Sequence, residues 1–182
     1  MESSRWNRIY VQQIITLPKI DHGSDPTSLS RWTWARFQGK GNTVIPTISA
    51  YRPTINHGPT TTWSQHCRYY QEHQKRQNPD VKAIFDKDLV THIKAWLELG
   101  DSIILRIDAN DDVQHSRLTQ SLSSLGIRDG IFSTHSSSSP PATQNRNQTR
   151  TPIDAIYVSS NVIFTRAGYS PLDGEKSFDS DH

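Results

Sequence analysis

Hydrophobic positions recur along this chain with two periods. The clearest run is Val81, Ile84, Phe85, Leu89, Ile93, Trp96 and Leu97, whose steps of three, one and four residues place one apolar stripe on an amphipathic helix. Gly100 follows as the expected stop. Directly after it, Ile103-Ile104-Leu105 is framed by that glycine and by the acidic cluster Asp108 to Asp112, which predicts a strand over 103–108 buried on both faces. A helix feeding straight into a buried strand predicts a layered α/β fold.

The remaining segments supply further elements. Ile9-Tyr10-Val11 and Ile14-Ile15 predict a strand or hairpin arm near the N-terminus, and Asp21 to Pro26 a loop. Arg31 to Phe37 alternates as a strand with Trp32, Trp34 and Arg36 on one face. It turns at 39–42 and returns through Val44 to Tyr51, where Pro53 stops it. Thr60 to Thr62 caps a polar helix from Trp63 to Gln77, and a short helix spans Arg117 to Leu125. Ile127 to Phe132 predicts a brief strand, 133–151 a long serine-rich loop, and Ile153 to Val158 the last clear strand. With 182 residues and no internal repeat, the expectation is one domain over 1–182.

Composition narrows the function classes. Hydrophobic residues make up 33% and mean hydropathy is −0.69, so no segment reads as a membrane span and no signal-peptide core is seen. One cysteine, Cys67, rules out an internal disulfide and a thiolate zinc cluster, and an intracellular setting, nuclear or cytoplasmic, is expected. The net charge of +2 permits an anionic partner without requiring one. Arg31, Arg36, Lys40 and Arg52 read either as a phosphate-tracking patch or as a solvated basic surface. Trp32 and Trp34 offer base-stacking surfaces or, alternatively, rings covered by a helix. His57, His66, His73, His92, His115 and His135 lack metal-ligand spacing and read as surface residues.

Two strand ends carry candidate chemistry. Asp108 and Asn110 are two residues apart, so an extended backbone aims both the same way; the alternative is an Asn/Asp-rich turn. Asp154 shares a face with Ile156 and Val158, and a partly buried carboxylate needs a partner, for which His182 is a candidate; the alternative is an acid facing solvent at a sheet edge.

Four segments, in order, are Ile48-Ser49-Ala50-Tyr51-Arg52-Pro53, Ile104-Leu105-Arg106-Ile107-Asp108-Ala109-Asn110, Thr151-Pro152-Ile153-Asp154-Ala155-Ile156-Tyr157 and Ser180-Asp181-His182. Together they resemble the endonuclease/exonuclease/phosphatase (exonuclease III-like) domain, and Ser30 to Trp34 with Pro141 to Thr143 most resembles its retroelement branch. The resemblance implies a four-layer α/β sandwich of the DNase I-like type and hydrolysis of phosphate esters, DNA ahead of RNA, with Mg²⁺ or Mn²⁺. It implies Asp108 as the group that orients or deprotonates water, Asn110, His182 and Tyr51 on the phosphoryl oxygens, Asp154 orienting His182, and Asp181 at the metal with Asp108 and Asn110.

The departures shape the expectation. Ile107 stands where the family has glycine, and before Trp32 the one glutamate is Glu2, in no strand of the family's order. The strand that follows the family's histidine is missing as well. A domain truncated at its N-terminus is therefore expected, with weakened or no nuclease activity. The alternative is a non-catalytic relic or a weak nucleic-acid-binding fragment.

Overall fold

The computed structural model of the protein describes residues 17–134, 144–146 and 149–163. In chain order these form β1 (Lys19–Ser24), β2 (Trp32–Gln38), β3 (Val44–Tyr51), α1 (Thr62–Gln74), α2 (Val81–Glu98), β4 (Ile104–Asp108), α3 (Arg117–Ser124), β5 (Ile127–Asp129), β6 (Gln144–Arg146), β7 (Thr149–Thr151) and β8 (Asp154–Ser159). The main sheet has six strands in the order β1-β2-β3-β4-β8-β5, and β6 pairs with β7 as a separate ribbon. Only β3 and β4 run parallel; the other pairs are antiparallel. A parallel pair needs a crossover, and α1 and α2 supply it.

Local chemistry sets the helix ends. Thr61, Asp80 and Ser116 each cap a helix by accepting a backbone N–H three residues on, from Ser64, Ala83 and Thr119. Gly100, at φ 83°, takes the left-handed position after α2 that other residues reach only with strain.

The apolar stripe of α2 lies on one face of the sheet. Phe85, Leu89 and Ile93 are fully buried there against Trp32, Ile48, Leu105 and Ile107, and α3 extends the layer with Leu118 and Leu122 over Tyr157. At roughly 1.5–3 kcal/mol per large apolar side chain, this layer supplies the main drive to fold. The opposite face is more polar. Thr33, Ser49, Tyr51 and Arg106 are exposed there, while Ala35, Phe37, Thr47, Ile104 and Ile156 are half-buried. So β4 is not buried on both faces: Leu105 and Ile107 face the helices and Arg106 faces away.

Two segments differ from their sequence reading. Asp21 to Ser24 belongs to β1 and pairs with Arg36 to Thr33 of β2 instead of looping. Gly23 permits this, because a Cβ there would fall 2.7 Å from the Trp34 ring. Within the expected 133–151 loop, β6 and β7 form a hairpin. The strand expected around Ile9 to Ile15 lies outside the described residues.

The three arginines of the expected patch are paired with carboxylates inside the protein, and Lys40 is exposed. Arg31 is 1% exposed: its guanidinium forks onto both oxygens of Asp25 (2.6 and 2.8 Å), donates to Asp88 and the Tyr70 hydroxyl, and lies 4.5 Å over the Trp32 ring. Burial pushes the Tyr70 phenol up to about 12. Arg36 pairs with Asp101 at 2.7 Å. Arg52, 3% exposed, forks onto Asp86 of α2 with two 2.7 Å bonds and reaches Asp111 at 2.9 Å. Burial opposes its charge, but the two carboxylates prevail and its pKa is raised.

Two histidines read as surface residues are also interior. His66 is 2% exposed. His92 sits among Trp32, Trp34 and Trp96, its ring centroid 4.2 Å from that of Trp96. Among the described residues, neither His66 Nδ1 nor His92 Nε2 has a hydrogen-bond partner. Burial lowers both pKa values from 6.5, aided at His66 by the Arg31 charge.

These contacts set two expectations for stability. Arg52→Met strands a buried Asp86 and is expected to cost about 3–5 kcal/mol, read as a lower urea midpoint; adding Asp86→Leu in the same chain should recover much of the loss. The buried histidines fix a pH response. The unfolded chain binds protons near pH 6.5 and the folded chain only below that. Their contribution is therefore complete above about 6.5 and declines as pH falls through that value toward the lowered folded pKa. Urea midpoints measured from about pH 8 down to about pH 5 should fall, and fall less steeply in His92→Phe.

Candidate functional site

Three strand ends meet at the centre of the sheet. Tyr51 closes β3, Asp108 closes β4 and Asp154 opens β8. Pairing register puts Tyr51 beside Asp108 and Asp108 directly opposite Asp154. All three side chains stand on the face away from the helices, because each strand's alternate positions (Ala50, Ile107, Ala155) are buried in the helix-side core. Asp154 thus shares its face with Ile156 and Val158, as the alternation predicts. Tyr51 is 40% exposed, and both carboxylates are half-buried.

Backbone bonds lock the three ends together beyond the strands. Tyr51 N–H donates to the Arg31 carbonyl and Arg52 N–H to that of Asp108, both at 2.9 Å; Ala109 N–H donates to that of Ile153 at 2.8 Å. Pro53 ends β3 because it has no N–H to continue the ladder.

Asn110 does not extend the strand. Its φ of 46° turns the chain left-handed, so the expectation that Asp108 and Asn110 point the same way by alternation fails. The carboxylate of Asp108 causes part of this turn by accepting the Asn110 N–H at 3.2 Å, a local bond that competes with extended structure. Asn110 Nδ2 donates to the Arg52 carbonyl at 2.8 Å, which returns the side chain toward the end of β3. Among the described residues, one amide hydrogen and Oδ1 remain for other partners.

The turn is braced from below. Arg52 holds Asp111, and Lys82 of α2 donates to the Asn110 carbonyl at 2.9 Å. Burial pushes the Asp111 carboxyl up, but Arg52 and Lys82 outweigh it and leave it below the usual carboxylate range. Asp86, Lys82 and Asp111 were not singled out in the sequence, and Arg52 was read there as a patch residue and not as a brace. The signal for two of them was present: Lys82 and Asp86 are four apart along the border of the α2 apolar stripe, where an acid is out of place unless paired.

Asp181 and His182 lie outside the described residues. Of the six sequence-predicted site residues, Tyr51, Asp108 and Asp154 share one row, and Asn110 joins it through Arg52. A groove lined by His57, Trp63, Cys67, Arg68 and Asp80 runs beside α1 and includes none of them. Cys67 there is half-buried, and burial raises its thiol pKa.

Directly opposed like charges are unfavourable, at opposing Cβ separations of about 4.5–5.5 Å. The Asp108–Asp154 pair concentrates negative charge beside a phenol and an amide at one rim of the sheet. Such a set can accept protons from water, donate to an oxyanion through Tyr51 and Asn110, and orient a cationic partner.

No protein-family profile matches the chain, and no curated protein matches it. Solved structures do. The 3′ phosphatase NExo from Neisseria, bound to a product DNA hairpin, has a TM-score of 0.53 at 14% identity over 79% of this chain and 60% of its own. An AP endonuclease from Archaeoglobus fulgidus has a TM-score of 0.50 at 16% identity, over 79% and 59%. The human nocturnin catalytic domain with bound sulfate also scores 0.50, at 13% identity over 79% and 48%. The chain thus spans about half the length of the structures it matches. At such identities the likeness bears on architecture alone: the fold is α/β, of the DNase I-like type.

Proposed function

We propose that the chain is a phosphoesterase domain, or part of one, acting on phosphodiester bonds of nucleic acid, DNA foremost. The observation that carries this reading is the in-register row of Tyr51, Asp108 and Asp154 at the rim of the sheet. The similarity to a phosphatase bound to DNA and to an AP endonuclease supports it.

In this reading Asp108 orients the attacking water and takes its proton. Tyr51 and the remaining amide hydrogen of Asn110 donate to the phosphoryl oxygens as negative charge grows on them. Asp154 holds the imidazole of His182 in one tautomer, following the resemblance. Asp108 and Asn110 also offer the hard oxygen donors that Mg²⁺ takes. Among the described residues, however, no group of three His, Cys, Asp or Glu side chains is arranged to hold a metal ion. By themselves these donors do not make a Mg²⁺ site; Asp181, the remaining ligand of this reading, lies outside the described residues. Slow turnover is the expectation.

The test is cleavage of a labelled DNA strand by the purified chain, with Mg²⁺ or Mn²⁺ added and then chelated. Slow cleavage that stops on chelation is expected, and Asp108→Asn should lower kcat by about 10²–10⁴ with little change in KM. Cleavage that survives Asp108→Asn would sink the assignment. Binding of DNA without any cleavage would favour the non-catalytic nucleic-acid-binding reading instead.

A further inference from the structure

The groove beside α1 opens at the same end of the sheet as the row of Tyr51, Asp108 and Asp154. Its volume is about 510 Å³, within the roughly 300–1,000 Å³ of small-ligand pockets. One wall is the loop that leaves β3 and carries His57; the other is the turn 78–80 that leads into α2. Both walls spring from the rim. The loop starts directly after Tyr51, and Lys82, in the first turn of α2, donates to the Asn110 carbonyl at 2.9 Å. The groove is thus built by helices and loops, and no position within a strand lines it.

α1 supplies the floor. Trp63 is half-buried: it packs against the buried cluster of Tyr70, Val81 and Ile84 and also lines the groove. That packing fixes the ring and makes it a rigid stacking surface for whatever enters. Arg68 is exposed. Among the described residues it makes no ion pair, and its hydrogen bond is a long one of 3.4 Å to the Pro59 carbonyl. Arg31, Arg36 and Arg52, by contrast, are all ion-paired. Among the described residues Asp80 is the one acid that lines the groove. Its Oδ1 caps α2 by accepting the Ala83 N–H at 2.9 Å, which leaves Oδ2 beside an Asn78 amide that makes no hydrogen bond among the described residues.

An aromatic face, a guanidinium without a carboxylate, and an acceptor beside an amide together complement one nucleotide. The ring stacks on a base, which is sequence-tolerant because every base has a π-face. The planar fork of arginine matches two phosphate oxygens at once. A carboxylate and an amide meet the donors and acceptors along a base edge. Stacking also supplies what the row lacks. Two carboxylates at the rim repel a polyanion, whereas a stacked base holds the strand by a contact that this repulsion leaves intact.

We infer that the groove takes a nucleobase, turned out of its stack, from a single-stranded nucleic acid whose phosphodiester lies at the row, with Trp63 stacking on the base and Arg68 holding its phosphate. The inference deepens the phosphoesterase reading and rests on it for the choice of a nucleic-acid ligand; the experiment separates the two.

A fluorescein-labelled single-stranded DNA oligonucleotide and an abasic strand of the same length are titrated with the full chain over a range of salt in EDTA. W63L is expected to bind the oligonucleotide about tenfold more weakly, and W63F to recover most of that loss because it restores an aromatic face. The abasic strand should bind W63L and wild type alike. R68M should weaken binding to both strands and reduce the slope of log K against log salt by about 0.7. Its melting temperature should match the wild type, since the side chain is exposed, so R68M tests the groove even where loss of the Trp63 packing lowers the stability of W63L. Equal affinity and salt slope in R68M and wild type overturn the inference, as does equal affinity of W63L and wild type for the oligonucleotide. Equal binding of the two strands by the wild type, or no binding of either, also overturns it and points to a protein segment as the occupant. Binding that depends on Trp63 and Arg68, with no cleavage when Mg²⁺ or Mn²⁺ is added, leaves the base site standing and removes the phosphoesterase reading. Cleavage with binding indifferent to both residues does the reverse.

Discussion

The structure depends on one buried cation. Arg52 occupies the first position after β3, with its side chain anchored to Asp86 of α2 and to Asp111 beyond β4. A desolvated guanidinium is costly unless its donors are satisfied, and here both carboxylates are needed to satisfy it. The consequence reaches the candidate site through the main chain. Arg52 N–H binds the carbonyl of Asp108, and its own carbonyl receives the amide of Asn110. The helix layer, the parallel strand pair and two candidate residues are therefore held by the same residue, through its side chain on Asp86 and Asp111 and its main chain on Asp108 and Asn110.

Against this bracing, the opposed carboxylates of Asp108 and Asp154 are a small load. Like charges across a strand pair cost roughly 0.2–1 kcal/mol, whereas each of the buried side chains beneath them (Leu105, Ile107, Tyr157) contributes about 1.5–3 kcal/mol. The core wins, so the sheet can hold at its rim a charge arrangement that local energetics disfavours.

What could be read from the sequence follows from the range of the forces involved. The stripe of α2, the cap within Thr60 to Thr62, and the alternation in β2, β3 and β8 are local patterns, and each sits where its period places it. The strand ends bearing Tyr51, Asp108 and Asp154 were legible for the same reason. The pairing of Arg31 with Asp88 and of Arg52 with Asp86 was not, since each joins residues far apart in the chain and an arginine looks the same in sequence whether solvated or buried. His92 escaped similarly: its aromatic enclosure is built from β2 and α2, which meet only in the folded state. The β1 segment reads as a loop by composition, and its strand form depends on Gly23 passing over Trp34. The turn at Asn110 was offered by its Asp- and Asn-rich sequence as one of two readings, and the local bond to Asp108 decides in its favour.

The outer strand of the sheet among the described residues, β1, has its own consequence for the behaviour of the chain at high concentration. Its residues Lys19 to Ser24 are nearly all exposed, carry both signs of charge, and include an irregularity in register between Lys19 and Asp21. An extended sheet edge invites a strand from another molecule to add on, and lysine, aspartate and a kink are the features that discourage it. The charges and the irregular pairing of β1 are therefore features that disfavour intermolecular sheet growth at this edge.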